Sequence, residues 1–301
     1  MGTNTWRRIC VALALVVLAA FAVGCGSDDE QEPASGSKST PAADVEKYPA
    51  DSTLGKIQAK GELTIGVKYD VPPFGFKNPQ TNNVEGFDVD MGKALATKLG
   101  VKPKFIEAIS DNRIPFLEKG TADVILSTMT INAERVEQIE FSDPYYVARG
   151  RVLVKEGSPI KGVEDLAGRK VCTALGSTYE ENLKKQAPKA KRSLVDSYSE
   201  CLELIQNGAV DAVSTDDVIL TGMIIQDDTL KLVGEELTQE PYGAGIKKGE
   251  TEVVKFVNDT FDELKQDGRW KQFYERWVGR YTNQAQDPPT ISVDEAVKLT
   301  Q

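Results

Sequence analysis

Apolar residues along this chain follow two alternating periods. Leu63-Thr64-Ile65-Gly66-Val67 is a short, β-rich run that predicts a strand, whereas Phe87, Met91, Leu95 and Leu99 recur every four residues and share one face of a predicted helix. Further strands are predicted at Ala122 to Leu126, Arg151 to Val154, Lys170 to Cys172, Ala209 to Val213 and Leu230 to Val233, with helices between them. Strands alternating with helical segments predict an α/β fold with parallel strands.

A weak repeat lies within this pattern. Leu117-Glu-Lys-Gly-Thr-Ala-Asp123-Val-Ile-Leu-Ser-Thr128 and Leu204-Ile-Gln-Asn-Gly-Ala-Val-Asp211-Ala-Val-Ser-Thr215 share a helix end, a glycine, an aspartate three residues later, a strand and terminal hydroxyls. Glycine suits the left-handed residue that closes a helix, so each copy reads as helix, turn, strand. The repeat predicts two similar lobes; the competing explanation is the general likeness of α/β units. Ligands of open parallel sheets sit beyond the carboxyl ends of the strands, which places the expected cleft at the two hydroxyl-bearing ends.

The ends of the chain differ from the middle. Arg7 and Arg8 precede an apolar run from Ile9 to Val23, which is short for a membrane span of ~20 residues and has the layout of an export signal. The segment ending at Gly24-Cys25 resembles a lipobox, although Ala22 stands where leucine is usual. Residues 1–24 are therefore expected to be a lipoprotein signal peptide and Cys25 the lipid attachment site, the alternative being a plain secretory signal. Residues 25–53, rich in Ser, Pro, Ala, Asp and Glu, read as a disordered tether, and 281–301 as a C-terminal tail.

Charge and residue counts narrow the function. The formal charge is −10, and removing residues 1–24 with their two arginines makes it −12. So acidic a chain lacks the basic footprint of a nucleic-acid binder. The absence of histidine excludes Ser-His and Cys-His catalysis and disfavours a zinc site. With Cys10 in the signal and Cys25 at the anchor, Cys172 and Cys201 remain. In an exported protein these form a disulfide or stay as two buried thiols.

Candidate chemistry collects at the strand ends. Ser127, Thr128, Thr130 and Asn132 offer hydrogen-bonding groups where a strand gives way to a helix, and Arg135 follows in its first turn. A cation there is unfavourable unless an anion is near, because the helix N-terminus is already partly positive. Amides, hydroxyls and a guanidinium together suit a carboxylate, unless Arg135 pairs with Glu134 or Glu137 on the surface. Ser214-Thr215-Asp216-Asp217 puts carboxylates on the opposite wall, either for a ligand's ammonium or as a helix cap. Gly176-Ser177-Thr178 offers a further turn, and Tyr69 and Phe74 could pave a pocket wall or belong to the core.

The ordered series Pro73-Phe74-Gly-Phe76, Gly86-Phe-Asp-Val-Asp90, Asn112-Arg-Ile-Pro115, Thr128 to Arg135, Phe141-Ser-Asp-Pro-Tyr-Tyr146, Gly176-Ser-Thr178, Asp216-Asp217 and Asp267-Gly-Arg-Trp270 with Trp277 resembles the extracytoplasmic solute-binding proteins of polar amino-acid ABC transporters. The likeness looks greatest to the glutamate, aspartate or asparagine branch. It implies a two-lobed type II periplasmic binding protein fold, with 54–147 and 242–280 in the first lobe, 148–241 in the second, and two crossovers as a hinge. It also implies a monomer without cofactor or metal that passes an amino acid to an ABC permease, outside the cytoplasm and held to the membrane by its lipid. The α-carboxylate clamp falls on Arg135, with Thr130 and the Ser127 and Thr128 backbone. The ammonium acceptor falls on Asp217, Thr178 completes the second wall, and Lys68, Ser110 and Arg113 meet the side chain.

Lys68 departs from that branch, where an arginine is usual. Lys68, Arg113 and Arg135 would leave a cation unpaired around a neutral ligand, so glutamate or aspartate is expected ahead of glutamine or asparagine. The same fold hosts dehydratases, but the nearest cleft acids, Asp216 and Asp217, are taken by the ammonium role, and no catalytic residue is assigned. A receptor module is the other alternative.

Overall fold

The computed structural model describes residues 45–282 and 285–301; the signal segment and Cys25 lie outside the described residues. Two sheets carry the fold. The first has the strand order Lys102–Glu107, Glu62–Val67, Val124–Ile125, Gly245–Ile246 and Glu140–Phe141. In the second the order is Lys191–Val195, Lys170–Ala174, Ala212–Asp216, Tyr146–Lys155 and Leu230–Val233, with Gln239–Tyr242 paired to the long strand. Helices pack on both sheets, and the result is the two-lobed α/β architecture of periplasmic binding proteins.

The repeated sequence is a repeated structure. Gly120 and Gly208 both adopt left-handed φ, 67° and 76°. Asp123 accepts from Thr64 N at 2.7 Å and donates its own N–H to Thr64 O, and Asp211 makes the same pair of bonds with Lys170. Each aspartate thus pins the start of its strand to the neighbouring strand, which is why the residue recurs at that offset from the glycine.

The sheets are mixed rather than parallel as expected. Glu62–Val67 runs parallel to both its neighbours, and Lys170–Ala174 to both of its own, but Gly245–Ile246, Tyr146–Lys155 and Leu230–Val233 run antiparallel. The reason is the double crossing. Tyr146–Lys155 leaves the first lobe and enters the second, and Gln239–Tyr242 returns beside it in antiparallel register, Tyr242 opposite Tyr146 and Gln239 opposite Arg149.

The core confirms the periodic reading where the elements are buried. Phe87, Met91, Leu95 and Leu99 are all inaccessible, and Trp270 in the same cluster meets Phe87 edge to face and stacks on Tyr274. Both expected terminal segments contain ordered parts. Tyr48 packs edge-on against Phe256 and Gln58 binds Glu46 O, so the tether expected over 25–53 is already part of the fold by residue 46. In the tail, the capped helix Val293–Leu299 buries Ala296 against Ile131, Ile139 and Phe141 of the first lobe.

Cys172 and Cys201 are bonded, closing a loop with a sequence separation of 29. The bridge ties the second-lobe sheet to the helix Tyr198–Gln206. Replacing both by serine is expected to lower the unfolding free energy by about 3 kcal/mol, with the loop-entropy model as the basis. Urea unfolding would check it, and an unchanged midpoint would show that the bridge adds no stability.

Candidate functional site

The strand Val124–Ile125 ends in a sharp turn. Thr128 adopts φ 44°, a region that costs a β-branched residue about 1–2 kcal/mol. The turn aims Ser127 O and Thr128 O at one nitrogen, Arg113 Nη1, which donates to them at 2.9 and 3.1 Å, while Thr128 N donates to Asp88 at 3.0 Å. Ser127 Oγ is tied to Ala108 O. Downstream, Asn132 caps the helix Ala133–Gln138 by accepting from Arg135 N at 2.9 Å, and Arg135 reaches back into the protein.

Arg113 and Arg135 are buried, and both guanidinium groups donate to Gly176 O of the other lobe, at 3.3 and 3.0 Å. Arg135 also donates to Thr130 O at 2.7 Å. Among the described residues neither forms an ion pair, so the alternative of a surface pair with Glu134 or Glu137 is not realised. Lys68 lies behind them, 2 % exposed, with Nζ donating to Ser110 Oγ at 2.7 Å and resting 5.6 Å from the centre of the Tyr198 ring. Burial, then the neighbouring Arg113 charge, pulls the Lys68 ammonium down to about 7. Burial also lowers Arg113, to about 9, and Arg135.

The second lobe faces these cations with carboxylates. Asp216, ending the strand Ala212–Asp216, accepts from Tyr242 Oη at 2.6 Å and Tyr179 Oη at 2.8 Å. Glu240, on the returning hinge strand, is 2 % exposed and accepts from Thr130, Thr178, Thr238 and Asn182. Burial pushes Asp216 well above the usual carboxylate range and Asp88, behind the first wall, up to about 7.

Between the walls lies a narrow cavity of about 10 Å³, lined by Ser110, Arg113, Thr128, Thr130, Arg135, Ser177, Thr178, Tyr179, Tyr198 and Asp216. That is room for about one water, so an amino acid enters only as the lobes part. The lobes are closed around it. Asp70 of the first lobe accepts from Tyr198 N and Ser199 N at the start of a second-lobe helix, at 2.7 and 3.1 Å.

Residues 63–280 match the bacterial extracellular solute-binding proteins, family 3. The chain belongs to this family. It is 37% identical over 273 residues to the ABC transporter glutamine-binding protein GlnH of Bacillus subtilis, covering 88% of this chain and 96% of that one. It is 39% identical over 266 residues to the glutamine-binding protein of Geobacillus stearothermophilus, covering 86% and 100%. Among solved structures, an ancestral arginine-binding protein bound to glutamine superposes with a TM-score of 0.70 at 41% identity, covering 73% of this chain and 98% of that one.

Within this family-3 solute-binding protein, six expected residues line the cavity directly: Ser110, Arg113, Thr128, Thr130, Arg135 and Thr178. Lys68 stands behind Ser110, and Ser127 contributes its carbonyl to Arg113. Three expectations are corrected. Asp217 does not line the cavity: it is the first residue of the helix Asp217–Gln226, and its carboxylate turns back to accept from Val218 N and Arg149 N. The acid that faces inward is the preceding Asp216. Phe74 is core, packed on Phe87, Tyr146 and Tyr242, and Tyr69 donates to Phe105 O. The aromatic wall is Tyr198 and Tyr179 instead. Glu240 escaped notice because Gln-Glu-Pro-Tyr has neither strand periodicity nor a capping pattern; its only signal was an acid beside the hinge return.

Proposed function

We propose that this solute-binding protein takes up one amino acid in the cavity, prefers glutamine, and delivers it to an ABC permease from an extracytoplasmic position anchored through Cys25. The observation that carries the reading is the charge balance of the walls. Lys68, Arg113 and Arg135 are buried around the cavity against Asp88, Asp216 and Glu240, three basic groups matched by three acids, and burial drives Lys68 on one side and Asp88 and Asp216 on the other toward their neutral forms. A zwitterion with a neutral side chain leaves that balance intact, whereas an acidic side chain adds an uncompensated charge. The expectation of glutamate counted the cations alone. The glutamine-binding names of the relatives at 37% and 39% identity support the same choice.

In this reading Arg135 takes the α-carboxylate, Asp216 with the Thr130 and Thr178 hydroxyls takes the ammonium, and Lys68, Ser110 and Arg113 meet the side-chain amide. Lys68, held down to about 7, can serve an amide in either protonation state. A ligand carboxylate would instead restore its ordinary value. Between pH 7 and about 10, glutamate binding must then take up a proton, so its affinity falls by up to ~10-fold per pH unit as pH rises.

Calorimetric titration of the chain from Gly26 onward with both amino acids, from pH 6 to 9, is the test. Glutamine is expected to bind tighter at pH 7, and the ratio of the two affinities is expected to widen with pH. Because Asp88 titrates with either ligand, only the ratio reports Lys68. Tighter glutamate binding at pH 7 would return the ligand to the acidic class, and no binding of either would refute amino-acid uptake at this site.

A further inference from the structure

Glu240 lies on the hinge strand and is gripped from both lobes. Its Oε2 accepts from Thr130 Oγ of the first lobe at 2.7 Å and from Thr178 Oγ of the second at 2.9 Å. Its Oε1 accepts from Thr238 Oγ at 2.7 Å and Asn182 Nδ2 at 3.1 Å. Each carboxylate oxygen therefore holds two side-chain donors, none of them charged. Opening the cleft separates Thr130 from Thr178, so one carboxylate oxygen cannot keep both hydroxyls except when the lobes are closed.

A hydroxyl carries one proton, and here both threonine protons are committed to Glu240. Both side chains line the cavity, and with their protons committed they can only accept from a ligand there. We propose that Glu240 is a positioning residue for closure: it joins Thr130 and Thr178 across the cleft and fixes both hydroxyls as acceptors for the ligand's ammonium. The inference rests on amino-acid binding at this cavity but not on which amino acid is bound.

Glu240 also stands as the foremost carboxylate near Arg135, favouring its charged form. Replacing it by glutamine keeps the shape of the side chain but substitutes an NH2 donor for one acceptor oxygen. The amide oxygen can hold only one of the two donor pairs, and where the NH2 faces Thr130 and Thr178 their hydroxyls must turn, so that the acceptors they present to the ligand are lost.

The test is stopped-flow release of the bound amino acid, using tryptophan fluorescence or dyes at Glu118→Cys and Lys185→Cys on the exposed sides of the cleft. Glu240→Gln is expected to speed dissociation by ~10-fold or more while association changes by less than ~3-fold, because closure is lost after encounter. Thr130→Val alone should speed release as well. In the double variant the two effects should not multiply, since both remove the same bond.

A residue that only supports the fold would lower the unfolding midpoint and the fraction of competent protein without changing the release rate of the molecules that bind. Release from Glu240→Gln at the original rate, or multiplication of the two effects, would overturn the proposal. Should the unsubstituted protein bind no amino acid, the failure lies in the proposed function instead. If Glu240→Gln does not fold, Thr178→Val measured against Thr130→Val supplies the same coupling: independent effects overturn the bridge, shared effects support it.

Discussion

Arg135→Ala is expected to weaken amino-acid binding by about a thousandfold, a loss of about 4 kcal/mol, while leaving the unliganded fold close to its original stability. The two halves of this expectation have one cause. In this structure Arg135 is 7 % exposed and its guanidinium rests on two carbonyl oxygens, Thr130 O and Gly176 O. Carbonyls satisfy its protons but not its charge, and burial accordingly lowers its pKa. A cation held that way adds little to folding, so its removal costs little there. A ligand carboxylate converts the arrangement into a desolvated pair with a planar, two-pronged donor. Truncation then leaves the ligand's carboxylate in a closed cavity without its partner. Arg135→Lys should fall between, keeping the charge and losing the fork. Calorimetry alongside urea unfolding separates the two halves. Affinity retained by Arg135→Ala would remove it from the ligand's contacts, and an equally large fall in stability would make it a structural residue.

How far the sequence carried this site depends on what each residue's signal was. Arg135 was visible because a cation in the first turn of a helix violates local electrostatics, and the violation needs a cause. The lobes were visible because Asp123 and Asp211 each perform the same local task, pinning a strand start, at the same distance from a helix-ending glycine. Local tasks leave local signals. The edge strands Lys102–Glu107 and Lys191–Val195 went unseen, since most of their side chains are exposed or only half-buried and no buried face imposes a period. The strand expected at Ala209 to Val213 lies at Ala212–Asp216, and Asp217 was placed on the second wall by the resemblance rather than by any local signal. Adjacent residues at a strand end face opposite ways, so one step of register exchanges a ligand contact for a helix cap. Glu240 and Tyr198 owe their place to the other lobe, and residues far apart in sequence leave no trace of that in a single chain.

Gly176→Val should abolish closure, and with it at least about a thousandfold of affinity, by a mechanism distinct from loss of any ligand contact. Gly176 adopts φ 70°, and a Cβ built there would stand 2.6 Å from Asp111 Cα and 2.9 Å from Asp111 N, on the facing lobe. Both obstacles are backbone, and backbone at the start of the short turn Ser110–Asn112 has no side-chain rotamer with which to yield. The strain of a positive φ is present whether the lobes are open or closed, so it lowers stability by about 1–2 kcal/mol and leaves the opening equilibrium alone. The collision exists only when closed. It therefore falls wholly on binding, because a ligand stabilises the closed form only by the contacts it makes in both lobes at once. Closure also brings Gly176 O within reach of Arg113 and Arg135, so a cleft held ajar strips both guanidinium groups of an acceptor as well. The two contributions can be read separately: urea unfolding reports the first, and the distance between dyes at Glu118→Cys and Lys185→Cys, with saturating amino acid, reports the second. A variant that still closes on ligand with its affinity intact would mean that the Ser110–Asn112 turn moves aside, and the tight passing of the two lobes at Gly176 would then have no part in selecting glycine there.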